Sequence, residues 1–435
     1  MFRLRTKINL DELSLAFMIL GQCSVWLLED ILNMHLLILL VSAVSFAVLL
    51  IKRKASIVSG GWVFLLYLLG VYLSLVFNGG SIRAIYRFAQ IVFILLYVNV
   101  ADFETETLAF TKKGLVLTTY LAVVFILLQF VLKDAFSDPF YNLLSANSRT
   151  DALHYYDRGY YSGIIIKPHE AAGFISVTMA ALLMDGWLKN RKSQMIMALF
   201  FAIPLLLTGK RAIFVFTFGA LLCVYAFTQM ANRKVLKTLA IALVAAILGI
   251  LAVVVIMANA ENPLFARFAK LISKASESLI DETRLNLWRD AWNLWLANPL
   301  FGVGWRNFPE LTITLLDYPR SHSVNLDYLQ FLCETGIVGF VLMMTPVIFM
   351  ACRTWILGKY AAKEELPHEQ KLLIYLAFYI QVFILVYALV EVPFYSTMYF
   401  ALYIYSCIIV NSYYTKLPVS VRGRNVRFVF GMGKN

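Results

Sequence analysis

Long, continuous apolar runs recur along almost the whole chain and constrain its fold more than any other feature. Each has the length that a helix needs to cross the hydrocarbon core of a bilayer, about 17–25 residues. Hydrophobic residues make up 61% of the chain and charged residues 15%, a balance that soluble domains do not show. The runs do not alternate polar and apolar residues, which excludes the strands of a transmembrane barrel. We therefore expect an all-α, polytopic membrane protein.

Twelve of these runs are interpreted as transmembrane helices. The first follows a basic N-terminal segment without a small-residue cleavage site, so we interpret it as a retained span rather than a signal peptide. The predicted spans cover residues 12–28, 32–51, 61–77, 84–100, 114–132, 171–187, 194–208, 212–229, 238–258, 334–351, 372–390 and 394–411. Together they form one integral membrane domain over residues 1–435.

The net charge of +12 is distributed unevenly between the segments that connect the spans. If the N-terminus is cytoplasmic, the inner segments carry most of the 38 basic residues but a minority of the 26 acidic residues. The positive-inside rule places basic residues in the cytoplasmic segments of a membrane protein. The charge therefore predicts a topology with both termini in the cytoplasm, and it does not indicate a nucleic-acid partner.

Two of the outer segments are long, whereas the others are tight turns. The first outer loop covers residues 133–170, and the second covers residues 259–333. Two long loops on one side of a helical bundle favour a functional site assembled on the outer face.

The second outer loop contains two predicted helices and a histidine. Residues 263–280 have the pattern of an amphipathic helix in the membrane interface, and a second helix should begin after Asp281 and end before Asn298-Pro299. Arg284 lies on the tryptophan-bearing face near the start of this second helix, where anions are favoured. His322, next to Arg320, is a candidate proton acceptor because imidazole titrates near neutrality.

Other candidate site residues lie in the remaining outer segments. Lys210 and Arg211 occupy a turn between two spans, where an arginine can bind a phosphate through two hydrogen bonds, although both could be anchors at the membrane edge. The first outer loop contributes Arg158 and the pair His169-Glu170, for which a cap at the start of a helix is the alternative interpretation.

The chain lacks the sequence motifs of several enzyme classes. It has no HExxH, no paired Cys and His ligands, no Walker loop, no GxSxG and no DxD-type acidic pair in an outer loop. We therefore expect no metal and no cofactor. Phosphate charge would have to be met by arginines, which favours a lipid-pyrophosphate donor over a nucleotide sugar.

Three blocks of the sequence, in the same order, resemble the O-antigen ligase and polysaccharide polymerase superfamily. The first is the turn Thr208-Gly-Lys-Arg211, similar to the family's GSR. The second runs from Arg284 and Trp288 to the segment NPLFGVGWRNF at 298–308, and the third runs from His322 to the Glu-Thr-Gly-x-x-Gly pattern at 334–339. All three fall in segments that the charge distribution assigns to the outer side.

The resemblance implies a glycosyltransferase with a GT-C-like membrane fold in the bacterial cytoplasmic membrane. Its members transfer a glycan from undecaprenyl pyrophosphate to an acceptor hydroxyl on the outer side, and His322 would then be the general base while Arg211 and Arg284 stabilise the departing pyrophosphate. Lys210, Arg158, His169, Glu170 and Arg320 would bind substrate.

The acceptor defines the alternatives. It is a second lipid-linked repeat unit in a polymerase, our first interpretation, and the lipid A core in a ligase, and one sequence does not separate the two. A chain-length regulator is a candidate partner besides membrane lipids. A lipid-linked oligosaccharide flippase is the alternative from another class, but its ionisable residues should lie near the bilayer midplane.

Overall fold

The computed structural model describes residues 9–23, 34–52, 60–231, 258, 282–319 and 321–422 of the protein. Over these ranges the chain consists of helices joined by turns and loops, and the described residues contain no strand. This agrees with the all-α expectation.

The helices are numbered here in chain order. They are α1 (Leu10–Cys23), α2 (Met34–Lys52), α3 (Phe64–Asn78), α4 (Ile82–Val100), α5 (Thr105–Leu132), α6 (Asp134–Tyr141), α7 (Ala146–Asp157), α8 (Pro168–Leu188), α9 (Lys192–Leu199), α10 (Ala202–Leu207), α11 (Arg211–Ala231), α12 (Glu282–Ala297), α13 (Phe308–Thr314), α14 (Asp327–Lys363), α15 (His368–Tyr387), α16 (Thr397–Tyr414) and α17 (Val419–Arg422).

Six helical segments within the described ranges are long and apolar enough to cross a membrane, so the protein is a helical membrane protein. They are Gly61–Asn78, Thr105–Leu132, Pro168–Leu188, Arg211–Met230, Asp327–Lys363 and His368–Tyr387. Shorter apolar helices at Leu39–Ile51, Ala84–Val100 and Lys192–Leu207 coincide with further predicted spans. The predicted span at 238–258, except for its last residue, lies outside the described residues, as does the amphipathic segment 263–280. The count of twelve and the GT-C-like architecture stay predictions.

The predicted span at 194–208 is divided into α9 and α10. Pro204 lies in the second half, and proline has no backbone N–H to donate to the carbonyl four residues earlier. That carbonyl belongs to Phe200, in the two-residue break between the helices. The apolar run is therefore divided at Phe200 and Phe201 into two short helices.

Contacts between the connecting segments fall at two ends of the bundle. At one end, Asn78 donates a hydrogen bond to the carbonyl of Phe301 over 3.1 Å, and Tyr161 N–H donates to the carbonyl of Leu207 over 2.9 Å. These residues lie in or beside segments predicted to be outer. At the other end, Lys112 pairs with Glu369, His368 pairs with Asp185 and Lys416 pairs with Asp102, all in or beside predicted inner segments. Segments assigned to the same side thus meet, and their orientation in the membrane stays a prediction.

Helix α16 lies at the centre of the described bundle. Every residue from Met398 to Tyr414 is buried, and the helix contacts α1, α4, α8, α14 and α15. Since lipid is as apolar as these side chains, the association of the helices depends on close packing and internal hydrogen bonds. The turn between α15 and α16 is held against the start of α14, a fixed position that matters for the site.

Candidate active site

Within their described residues, both long loops that are predicted to be outer contain helices of their own. In the first loop, Gln129 at the end of α5 donates to Tyr141 Oη over 2.8 Å and accepts from the N–H groups of Ser162 and Gly163 over 3.0 and 2.8 Å. In the second loop, α12 ends at Ala297, as the Asn298-Pro299 signal predicts. These contacts hold the polar side chains of both loops at defined positions.

Helix α14 is broken at Gly336, and the loop at residues 299–304 fills the break. Gly336 has φ +64° and ψ −176°, which interrupts the helical hydrogen bonding. Four backbone hydrogen bonds of 2.9–3.2 Å join loop and break: Val303 N–H to Cys333 O, Gly304 N–H to Glu334 O, Ile337 N–H to Pro299 O and Val338 N–H to Leu300 O. The NPLFGVG and Glu-Thr-Gly segments, far apart in sequence, therefore form one structural unit.

Glu334 completes this unit from within the buried interior. Its carboxylate accepts the N–H of Arg306 over 2.7 Å, the N–H of Phe308 over 3.2 Å and the side-chain amide of Gln330 over 3.1 Å, as well as the hydroxyl of Tyr395. The bond from Phe308 fixes the first residue of α13. Glu334, which the sequence does not single out, therefore fixes the loop that leads to His322.

Helix α12 carries Arg284 towards the turn between α15 and α16. Leu287 and Ala291 bury one face of the helix, and Trp288 Nε1 donates to the carbonyl of Val324 over 3.0 Å. Arg284 lies one turn before Trp288, and its Nη2 is 3.7 Å from Oε1 of Glu391. The tryptophan face therefore contacts the loop that contains His322, which a purely interfacial belt does not require.

Lys210 enters the same region from the turn between α10 and α11. Gly209 has φ +72°, and a Cβ on it would lie 2.1 Å from the ring of Tyr160. Only glycine therefore fits beneath that ring. Lys210 Nζ lies 5.8 Å from the ring centre of Tyr155 and 5.9 Å from that of Tyr160. Both distances allow a cation–π attraction.

The charge of Lys210 interacts with three other charged side chains. Burial lowers the pKa of its ammonium, Glu391 acts in the opposite direction, and Arg284 and Arg158 lower the pKa further. Lys210 and Arg284 thus face Glu391, and Arg158 lies near Lys210. We call these three cations and the carboxylate of Glu391 the cationic group. Arg211 begins α11 directly after Lys210 and is partly exposed.

His169 and Glu170 lie in the first turn of α8 and interact with different groups. His169 interacts electrostatically with Lys210 and Lys167, and its carbonyl accepts the hydroxyl of Tyr399 over 2.5 Å. Glu170 instead interacts with Cys23 and Arg87, on α1 and α4, and with Tyr399 on α16. Of this pair, His169 borders the cationic group through Lys210.

His322 lies in the loop between α13 and α14. Its N–H donates to Oγ1 of Thr312 over 3.1 Å, and its ring is 5.5 Å from that of Tyr318, edge to face. Tyr318 in turn donates to Asp290 on α12 over 2.8 Å, and burial together with that carboxylate raises its pKa to about 12. His322 is thus connected to the helix that carries Arg284, whereas Arg320 lies outside the described residues.

Glu391 is the main site residue that the sequence motifs do not identify. It follows α15, and its backbone carbonyl accepts the N–H of Asp327 over 3.2 Å. The Asp327 carboxylate accepts the N–H of Phe394 over 2.8 Å, so both ends of the turn are attached to the start of α14. The available signal is that Glu391 is the one charged residue between positions 372 and 411 of the sequence.

An apolar cavity of about 790 Å³ runs along α14 and α15. Its lining consists of Tyr328, Phe340, Met344, Val347, Ile348, Ala351, Cys352, Trp355, Ile356 and Leu385. Tyr328, at one end, donates to the carbonyl of Leu385 over 2.8 Å and follows Asp327 directly. Tyr328 therefore joins the cavity lining to the start of α14, where Asp327 holds the turn that carries Glu391.

The described residues contain no group of three or more His, Cys, Asp or Glu side chains that could hold a metal ion. The charged chemistry of the site consists of the cationic group and His169, which interacts with Lys210 and Lys167. Arg211 follows Lys210 in the sequence, and His322 lies in the loop that Trp288 of α12 contacts through Val324. This arrangement can bind an anion and can accept a proton.

Comparison with known proteins relates this site to one family. The search of curated proteins finds no match to the chain. Residues 195–344 match the model of the Wzy_C family, described as O-antigen ligase. This range contains Lys210, Arg211, Arg284, His322 and the broken part of α14. The resemblance carried by the three sequence blocks to an O-antigen ligase or polymerase-like family is therefore confirmed over residues 195–344.

Proposed function

We propose that the protein is a membrane glycosyltransferase that polymerises oligosaccharide units linked to undecaprenyl pyrophosphate, on the outer side of the cytoplasmic membrane. The family match supports a function of the O-antigen ligase or polymerase type. The donor, the acceptor and the roles of individual residues belong to the proposal.

The observation that carries the proposal is the cationic group. At one end of a membrane bundle, Lys210 and Arg284 face the carboxylate of Glu391, and Arg158 adds a third positive charge near Lys210. An excess of positive charge in a partly desolvated site favours a ligand with more than one negative charge. A pyrophosphate at the end of a lipid chain carries more than one negative charge, and its lipid would bring it to this end of the bundle.

The apolar cavity along α14 supports a lipid-linked donor. Its lining is almost entirely hydrocarbon and aromatic, and it includes Tyr328, which follows Asp327, the residue that holds the turn of Glu391. A polyprenyl chain lying in it would hold the attached pyrophosphate beside Arg284. A soluble nucleotide sugar would make no use of such a cavity.

The proposed reaction is a direct displacement. His322 takes the proton of the acceptor hydroxyl while that oxygen forms a bond to the anomeric carbon of the donor. The bond between this carbon and the phosphate oxygen breaks, and the lipid pyrophosphate leaves with the electron pair. Arg211 and Arg284 stabilise the charge on the departing group, and attack from the opposite face inverts the anomeric carbon.

The test uses purified protein in lipid vesicles, an undecaprenyl-pyrophosphate-linked repeat unit and a gel readout of chain growth, with and without EDTA. Arg284→Lys and Arg211→Lys keep the charge but lose the planar fork, so we expect chain growth to fall about 100-fold or more, as for the loss of a transition-state donor. Arg289→Lys, an exposed position on the same helix, should keep the wild-type rate. Wild-type rates in both test variants would overturn the proposed roles, and loss of activity in EDTA that Mg²⁺ restores would overturn metal-independent transfer.

Ligation to the lipid A core is the second candidate, since the matching family is described as O-antigen ligase. The same vesicles supplied with lipid A core as the acceptor separate the two reactions. A polymerase forms a ladder of lipid-linked products without the core, and a ligase forms product only when the core is present.

The break in α14 could instead favour a flippase, because transporters bind substrates at broken helices. Here, however, the loop at residues 299–304 satisfies the backbone groups of Cys333, Glu334, Ile337 and Val338 at the break. These groups are therefore not available to hold a transported ion or substrate, which supports the transferase.

A further inference from the structure

Glu391 presents a problem for the binding of a pyrophosphate in the cationic group. Its Oε1 is 3.7 Å from Nη2 of Arg284, and its charge also interacts with Lys210. A carboxylate at this position would repel an incoming anion that needs the same two cations. The inference drawn from this problem rests on the proposed function.

The position of Glu391 is fixed by the fold. Its N–H donates to the carbonyl of Tyr387 over 3.0 Å, and its carbonyl accepts from Asp327. The side chain is 29% exposed, so it can turn towards water without moving the backbone. Only the side chain would then have to change when a ligand binds.

We propose that Glu391 is a place-holding carboxylate, which neutralises Arg284 and Lys210 in the free protein and gives them up when the donor pyrophosphate binds. The carboxylate fills the anion position and keeps the two cations from repelling each other. Donor binding then either takes up a proton at Glu391 or moves its side chain to water.

Several charged and titratable groups face Glu391 and influence the pH dependence of its charge. The positive ones are Lys210 and Arg284, and the remaining ones are Tyr155 on α7, Asp327 on α14, Tyr387 on α15 and Tyr399 on α16. Burial raises the pKa of the Glu391 carboxyl, and Lys210 and Arg284 oppose the shift. A nearby pyrophosphate raises this pKa further, so binding takes up protons and the affinity rises as the pH falls.

The experiment measures binding of undecaprenyl-pyrophosphoryl-N-acetylglucosamine to the full chain in nanodiscs, from about pH 5.5 to about pH 8. This probe is a pyrophosphate diester, which does not itself titrate in that range. The wild type should bind about threefold or more tightly at the lower pH. Glu391→Gln should bind about fivefold more tightly than the wild type at the higher pH, within the range of a partly exposed ion pair, and should lose the pH dependence.

Two further variants complete the test. Glu391→Asp should retain the pH dependence, whereas Glu282→Gln, which removes an exposed carboxylate two residues before Arg284, should behave as the wild type. The place-holding role is overturned if Glu391→Gln binds no more tightly than the wild type at the higher pH. It is also overturned if this variant keeps the pH dependence of the wild type. A general base at Glu391 would instead lower the transfer rate with little change in affinity, which also overturns it. Absence of binding in every variant overturns the proposed donor as well.

Discussion

At the scale of single residues, His322 is held by contacts on both sides rather than by a helix. Its N–H is bonded to Thr312, its ring packs on Tyr318, and the carbonyl of Val324 holds Trp288. A general base needs a fixed position within hydrogen-bond reach of the hydroxyl that it deprotonates, directly or through one water. The loop provides this position through the bond of the His322 N–H to Thr312 and the packing of its ring on Tyr318.

His322→Ala should therefore remove transfer and leave the donor site intact. General-base catalysis contributes about 10²–10⁴-fold, so we expect the initial rate of chain growth to fall at least about 100-fold. Donor affinity should change less than about threefold, because the arginines bind the pyrophosphate. His154→Ala, on α7 at the same end of the bundle, is the matched control. If the variant keeps more than about a tenth of the wild-type rate, the base lies elsewhere, and His169 beside Lys210 is the next position to change.

The residues of the site differ in how far the sequence alone could identify them. Lys210, Arg284 and His322 each lie in a motif that is continuous in sequence, so the pattern predicts them. Glu391 has its partners on other elements, and only the folded chain brings it to Arg284. Glu334 lies within the predicted Glu-Thr-Gly pattern, but its bonds to Arg306 and Phe308 depend on a loop folding back onto α14.

At the scale of helices and loops, the glycine-containing motifs have a structural role. The pattern at 334–339 marks the break of α14, and the segment at 299–304 supplies the chain that fills it. Helix periodicity predicts where apolar runs begin and end, but it does not predict a break that depends on another segment. The outer loops and α12 could be located from the sequence, while the folding of the loops into α6, α7 and α13 could not.

Gly336→Ala should destabilise this unit. A side chain at φ +64° costs about 1–2 kcal/mol, and the added Cβ would lie 2.3 Å from the backbone C and O of Leu300, which cannot move aside as a flexible side chain can. We expect a lower midpoint of thermal unfolding in detergent, by several degrees, or loss of the folded peak in size-exclusion chromatography.

The matched control for this substitution is Gly219→Ala, in the interior of α11. Among the described residues, no atom outside the neighbouring backbone of the helix lies within 4 Å of the added Cβ there, and alanine favours a helix over glycine by about 1 kcal/mol. This variant should unfold at the wild-type temperature or above it. Equal midpoints for Gly336→Ala and the wild type would show that the break tolerates a helical residue.

At the scale of the whole molecule, the distribution of charge and the contacts between helix ends lead to the same two-sided arrangement. The cationic group and the described parts of both long loops lie at the end assigned to the outside, while the pairs Lys112–Glu369 and Lys416–Asp102 lie at the other end. Basic residues concentrate in the second set of segments, which the positive-inside rule assigns to the cytoplasm. A donor assembled in the cytoplasm would then have to be flipped before it reaches Arg284.

This topology can be measured with reporter fusions in the membrane of living bacteria. Fusions of alkaline phosphatase, which is active only outside the cytoplasm, should be active after residue 150 in the first outer loop and after residue 310 in the second. A fusion after residue 366, in the turn between α14 and α15, should be inactive and should instead give signal with a cytoplasmic reporter. Both termini should give the cytoplasmic signal as well. A cytoplasmic signal after residue 150 or 310 would place the cationic group and His322 on the inner side, and transfer from a flipped lipid-linked donor would then be impossible in this orientation.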